Sequence, residues 1–153
     1  MVAIAHQALR MSTHLPPFSE EKPVNIGILD DNAAILSLLE TTLTKDGHRI
    51  SQHTTGESLL NAIFPPSTAP ESRVPYDLII LDLLLPGGLS GADVFLAIRK
   101  AFDAEDLPII VITAVDDHTL EQFRYILPDD VPIVRKPFHP RNIRRLVAEM
   151  LGI

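Results

Sequence analysis

Three aspartates, a threonine and a lysine stand out because each ends a short run of branched apolar residues. Asp30 and Asp31 follow "VNIGIL" (24–29), Asp82 closes "LIILD", Thr113 closes "PIIVIT", and Lys136 follows "PIVR". A carboxylate in such surroundings needs a partner, because an unpaired buried charge is costly or is neutralised by a shift in its pKa. If the three acids met in one cleft they would repel one another, by a few kcal/mol per pair at about 4 Å even in a fairly polarisable interior. Lys136 supplies one compensating charge. A hard divalent cation would supply two more, and oxygen donors without His or Cys suit Mg²⁺ or Mn²⁺ rather than Zn²⁺. Mg²⁺ usually joins one or two carboxylates to a phosphate, so such a cleft calls for a phosphoryl group. Asp82, with apolar neighbours and a loop after it, is the candidate nucleophile, and its attack on phosphorus would give an aspartyl phosphate. Thr113 and Lys136 would then hold phosphoryl oxygens. Each residue also has a plainer reading. Asp30-Asp31 could cap a helix, Asp82 could open a loop, Thr113 could be satisfied by backbone, and Lys136 could be solvated. The coincidence of all of them at one edge carries the inference.

The surrounding pattern says how they would be brought together. Apolar strand-like runs at 24–29, 76–84, 107–113 and 131–136, with a weaker one at 48–54, alternate with helical periodicity at 32–47, 56–64, 90–102, 116–127 and 139–152. The strongest strands are solidly apolar rather than alternating, as in a parallel sheet covered on both faces. Right-handed crossovers then give an α/β fold of five parallel strands in the order 2-1-3-4-5, flavodoxin-like, with helices on both faces. Ligands in such a sheet lie at the carboxyl ends of strands 1, 3 and 4, where these residues fall. Residues 65–75 form a Pro-rich loop, long for a compact domain. Residues 1–22, with "THLPPFSEEKP", read as an arm or linker ahead of a single domain over 23–153.

Composition narrows the class. The chain has 153 residues, 46% of them hydrophobic, enough for one cored domain. A formal net charge of −7 argues against a surface built to grip nucleic acid directly. The absence of cysteine excludes disulfides and thiolate metal sites. No apolar run reaches the roughly 18 residues of a membrane span, and the first residues lack the layout of a secretory signal. The expectation is a cytoplasmic protein without membrane contact.

With these residues in place, the sequence closely resembles the receiver domain of two-component response regulators from residue 24 to about 152. The resemblance rests on "ILDDN", "LIILDLLLPG", "VITA" and "RKPF", each weak alone and specific in this order and spacing. It implies that Asp82 is the phosphoacceptor, that Asp31 binds Mg²⁺ directly and Asp30 mainly through water, and that the backbone carbonyl of Leu84 is a further metal ligand beside Asp82. It implies that Thr113 turns its hydroxyl toward the phosphoryl group and that Lys136 pairs with it. The donor would be a phosphohistidine on a sensor histidine kinase or a histidine phosphotransfer protein, or a small phosphodonor. The domain would be a phosphoacceptor that assists its own phosphorylation and dephosphorylation, not an enzyme acting on other substrates. Output would pass through helix 4, strand 5 and helix 5 to a downstream protein or a second copy. Arg124, Arg135, Arg141, Arg144 and Arg145 on that surface could meet an acidic partner or be ordinary solvated side chains.

Two departures from the family pattern matter. Ile133 stands where an aromatic residue three before the lysine often reports the switch. The loop "PGGLSG" also places Gly91 nine residues after Asp82, one more than is usual, with the extra residue in Gly87-Gly88. Rival readings fare worse. An FMN-binding flavodoxin needs a hydroxyl- and glycine-rich phosphate loop where this chain has Asp30-Asp31. Phosphatases with an aspartyl nucleophile commonly place a second acid where Leu84 stands. A receiver-like interaction module that signals without phosphate is the alternative that Ile133 leaves open.

Overall fold

A computed structural model of the chain describes residues 23–66 and 73–153. The arm expected over 1–22 lies outside the described residues, as does the middle of the Pro-rich loop. Five strands, β1 (Asn25–Leu29), β2 (Arg49–His53), β3 (Leu78–Asp82), β4 (Ile109–Thr113) and β5 (Ile133–Arg135), alternate with α1 (Ala33–Thr44), α2 (Gly56–Ile63), α3 (Gly91–Ala101), α4 (Asp117–Gln122) and α5 (Pro140–Leu151). All pairs are parallel and the order is β2-β1-β3-β4-β5, as the sequence pattern predicts.

The solid apolar strands are explained by the two faces they serve. In β3, Leu78 and Ile80 point to a core shared with Leu36, Leu39 and Leu43 of α1 and Ile143 and Val147 of α5. Ile79 and Leu81 point the other way, to Leu59 and Ile63 of α2 and Val94, Phe95 and Ile98 of α3. Every residue of β3 and β4 is buried. Two full layers thus bury the central strands, and hydrophobic burial fixes the register, since a one-residue slip would exchange the faces.

Helix starts are set by side-chain caps. Asn32 caps α1, its Oδ1 accepting from the Ala34 and Ile35 amides at 2.9 and 3.3 Å. The cap is therefore Asn32, not Asp30 or Asp31, which leaves both acids for another purpose. Ser90 caps α3 in a reciprocal box with Asp93. The fourth helix is shorter than its 116–127 periodicity predicts. After Gln122 the backbone tightens into turns, with Phe123, Arg124 and Ile126 amides donating three residues back. None of the α4 residues is fully buried, and Pro128 disfavours helical geometry at Leu127. This helix is held to the sheet less firmly than the others.

The turn from β3 to α3 is tight. A Cβ on Gly91 would lie 1.7 Å from the Asp82 carbonyl oxygen and 2.7 Å from the Leu83 Cα. Only glycine lets α3 start against the end of β3. Gly91→Ala is therefore expected to lower the unfolding free energy by about 3 kcal/mol through backbone displacement, read as a lower urea midpoint. An unchanged midpoint would contradict this close approach.

Candidate functional site

The five residues singled out by type lie at the carboxyl edge of the sheet, on or just after β1, β3, β4 and β5. Asp30 and Asp82 are almost wholly buried and Asp31 is exposed. Lys136 reaches across the edge, its Nζ donating to Asp30 Oδ2 at 2.6 Å and to Asp82 Oδ2 at 2.9 Å. The other oxygens are also engaged. Asp30 Oδ1 accepts from the Asn32 amide at 2.8 Å, and Asp82 Oδ1 accepts from the Leu84 amide at 3.2 Å. Carboxylate oxygens of Asp30, Asp31 and Asp82 lie within 4.8 Å of one another.

The electrostatics are unbalanced. Burial pushes the Asp82 carboxyl up from its usual range, against the hydrogen bond and charge of Lys136 and the Leu84 amide, while the charge of Asp30 pushes it further up. Burial alone would depress the Lys136 ammonium, yet the hydrogen bonds and charges of Asp30 and Asp82 hold it above its ordinary value. One ammonium thus pairs with two of the three clustered carboxylates. The donor set is all oxygen, the deficit is positive charge, and Asp31 gives the cluster an open side. These residues fit a hard divalent cation.

Thr113 is fully buried. Its hydroxyl accepts from the Val115 amide at 3.3 Å, so the side chain is engaged within its own loop rather than with the carboxylates. Its carbonyl accepts from the Lys136 amide at 2.9 Å, which ties the end of β4 to the residue bearing the ammonium. Leu84 places its amide on Asp82 and leaves half of its surface exposed beside the cleft. Ile133 is half-buried against the α2–α3 side of the core and, with Leu120, Leu127 and Val131, lines a cavity of about 210 Å³ under α4.

The basic surface is partly neutralised from within. Arg124 pairs with Glu121 and Asp129, Arg144 with Asp46, and Arg145 with Glu149 at 3.9 Å. Arg135 donates to the Val115 carbonyl and the Asp117 carboxylate, linking β5 to the loop after β4 and to the first residue of α4. Contacts of two further side chains, His53 and Glu57, were not foreseen from the sequence. His53, at the end of β2, has one ring nitrogen 2.7 Å from Ser58 Oγ and the other 2.6 Å from the Tyr76 hydroxyl, and burial pulls its pKa down. Glu57 of α2 accepts from the Leu89 amide in the loop after β3.

Comparison with known proteins agrees with this geometry. The response regulator receiver domain family model matches residues 26–148. The chain belongs to that family. It is 34% identical over 124 residues to the probable transcriptional regulator ycf27 of Cyanidium caldarium, covering 81% of this chain and 45% of that protein. It is 38% identical over 90 residues to the transcriptional regulatory protein AfsQ1 of Streptomyces coelicolor, covering 59% of this chain and 35% of that protein. The solved response regulator protein TrrA of Thermotoga maritima, in complex with Mg(2+)-BeF, superposes with a TM-score of 0.65 at 29% identity, covering 84% of this chain and 99% of that one. The chain thus spans less than half the length of these two curated relatives. Both are described as transcriptional regulators, whereas the expectation of no direct nucleic-acid contact rests on acidic composition alone. Among the described residues no helix is long and apolar enough to cross a membrane.

The charge imbalance is testable without phosphate. Lys136→Met is expected to destabilise the fold by about 3 kcal/mol in chelator-treated buffer, because it leaves buried carboxylates facing one another. Added Mg²⁺ should then stabilise the variant more than the wild type in urea titrations. Equal stability of the two proteins without metal would mean that Lys136 does not offset the carboxylates.

Proposed function

We propose that this chain is a phosphorylation-dependent switch that accepts a phosphoryl group on Asp82 from the phosphohistidine of a sensor histidine kinase or a histidine phosphotransfer protein. The observation that carries this reading is the carboxylate of Asp82 held at the strand edge by Lys136 within reach of two further aspartates. An Asp82 oxygen attacks phosphorus, the bond from phosphorus to the donor imidazole nitrogen breaks, and an acyl phosphate remains. Asp31 and Asp82, with the Leu84 carbonyl, would hold Mg²⁺, and Asp30 would act mainly through water. Mg²⁺ supplies the positive charge that lets an anionic donor approach an anionic cleft. Lys136 is already hydrogen-bonded to Asp82, so its ammonium needs little movement to take a phosphoryl oxygen. Asp30 would keep that ammonium oriented as its bond to Asp82 is exchanged.

Thr113 would complete the switch. Turning its hydroxyl from the Val115 amide to a phosphoryl oxygen exchanges one hydrogen bond for a charge-assisted one. The loop after β4 would follow, and with it α4, which has no fully buried residue to resist the shift. The altered α4–β5–α5 surface would then be read by a downstream protein or a second copy. In a longer protein resembling the transcriptional regulators, the same change would govern an attached nucleic-acid-binding part.

Ile133 favours a second reading, a receiver-like module that signals without phosphate. The two are separated by intact-mass spectrometry after incubation with a small phosphodonor such as acetyl phosphate. The switch reading predicts one phosphoryl adduct that requires Mg²⁺ and is absent in Asp82→Ala. No adduct on folded wild type with either the small donor or a phosphohistidine protein would favour the phosphate-free module.

A further inference from the structure

The loop between Asp82 and α3 is longer than the family pattern by one residue, and the structure gives that extension a contact. Gly87 and Gly88 both have positive φ, 69° and 56°, so the loop swings outward through two residues that few others could replace. Its far end then meets the start of α2. Glu57 Oε1 accepts from the Leu89 amide at 3.1 Å. The fit around this bond is close. A Cβ on Gly88 would lie 2.6 Å from Glu57 Oε1, and a Cβ on Gly56 would lie 2.7 Å from Val94 Cγ2 and 3.1 Å from the Leu89 Cβ. Two glycines on opposite sides of the contact thus let α2 and the loop approach.

The near end of the same loop is the site. The Leu84 amide holds Asp82 Oδ1, and Ser90 at the other end is fixed to Asp93 by the α3 cap. Between these ends, Glu57 is the side chain from outside the β3–α3 segment that hydrogen-bonds the loop backbone among the described residues. A glycine-containing loop without it would sample more conformations, and the Leu84 peptide beside Asp82 would be less well placed.

We propose that Glu57 is a positioning residue: it pins the β3–α3 loop to α2 and so sets how tightly the aspartate cleft binds a divalent cation. This rests on the reading of the cleft as a Mg²⁺ site, and the test separates the two. Hydrogen exchange at the Leu89 amide is measured by NMR without metal, and Mg²⁺ is titrated against the same samples. Glu57→Ala is expected to speed Leu89 exchange roughly tenfold, the effect of losing one hydrogen bond. It should also weaken Mg²⁺ binding roughly tenfold, as loss of an orienting contact does. Glu57→Gln should restore both, since its amide oxygen can accept from Leu89.

Unchanged Leu89 exchange in Glu57→Ala would overturn the pin. Faster exchange with unaltered Mg²⁺ affinity would overturn its coupling to the cleft. Failure of Glu57→Gln to restore binding would overturn the hydrogen-bond account. A wild type that Mg²⁺ does not titrate would instead overturn the reading of the cleft, with the exchange result standing on its own.

Discussion

Lys136 bridging Asp30 and Asp82 is the contact on which the edge of this sheet depends. Two carboxylates from neighbouring strands end at the same depth because β1 and β3 pair in register, Leu29 beside Leu81. Both are buried, and each accepts a hydrogen bond from the same ammonium. The lysine comes from the far side of the sheet, after β5, so a single ion-paired triad joins strands 1, 3 and 5 across the end of strand 4. Such a triad contributes little net stability, because desolvation offsets attraction. It holds charge in a state that added charge can rearrange. A cation and a phosphoryl group together would do so, and the exposed carboxylate of Asp31 leaves a way in.

The rest of the molecule divides into rigid and loosely held parts around that triad. The central strands and α1, α2, α3 and α5 carry the fully buried side chains. The element next to the threonine is different. The fourth helix is six residues long with no residue fully buried, and the loop before it is tied to β5 through Arg135. Elements with few buried contacts open at low free-energy cost, and a local change in charge is enough to bias them. The cavity bounded by Ile133 lies under the same helix. With an isoleucine there instead of a ring, readout would depend on backbone displacement at Thr113–Val115 rather than on an aromatic side chain swinging inward.

The strand order and the five edge residues were legible because their signals are local and strong. The unbroken apolar runs Leu78–Leu81 and Ile109–Ile112, alternating with helical segments, fit a parallel sheet covered on both faces, and the polar residue ending each marks the edge. The end of the fourth helix was not legible. Leu120, Phe123 and Leu127 keep a helical spacing, yet that segment closes in turns because proline follows and little packing holds it. The helix-1 cap was ambiguous in a run of Asp30, Asp31 and Asn32, and Asn32 takes it. Contacts between distant residues left no trace in the pattern. Glu57 and Leu89 are 32 residues apart, and Arg144 and Asp46 are 98 apart. The basic surface therefore looked freer in the sequence than it is in the fold.

If Asp82, under Lys136 and beside Asp30 and Asp31, carries a phosphoryl group as proposed, a mimic of that group tests this most directly. Beryllofluoride mimics a phosphoryl group on a carboxylate, and ¹⁹F NMR reports its binding. The expected result is a bound ¹⁹F signal that appears only with Mg²⁺, is absent in Asp82→Asn, and is accompanied by shifts of the Thr113–Asp117 amides. A signal that persists in Asp82→Asn, or a folded wild type that gives none at saturating Mg²⁺ and beryllofluoride, would contradict it.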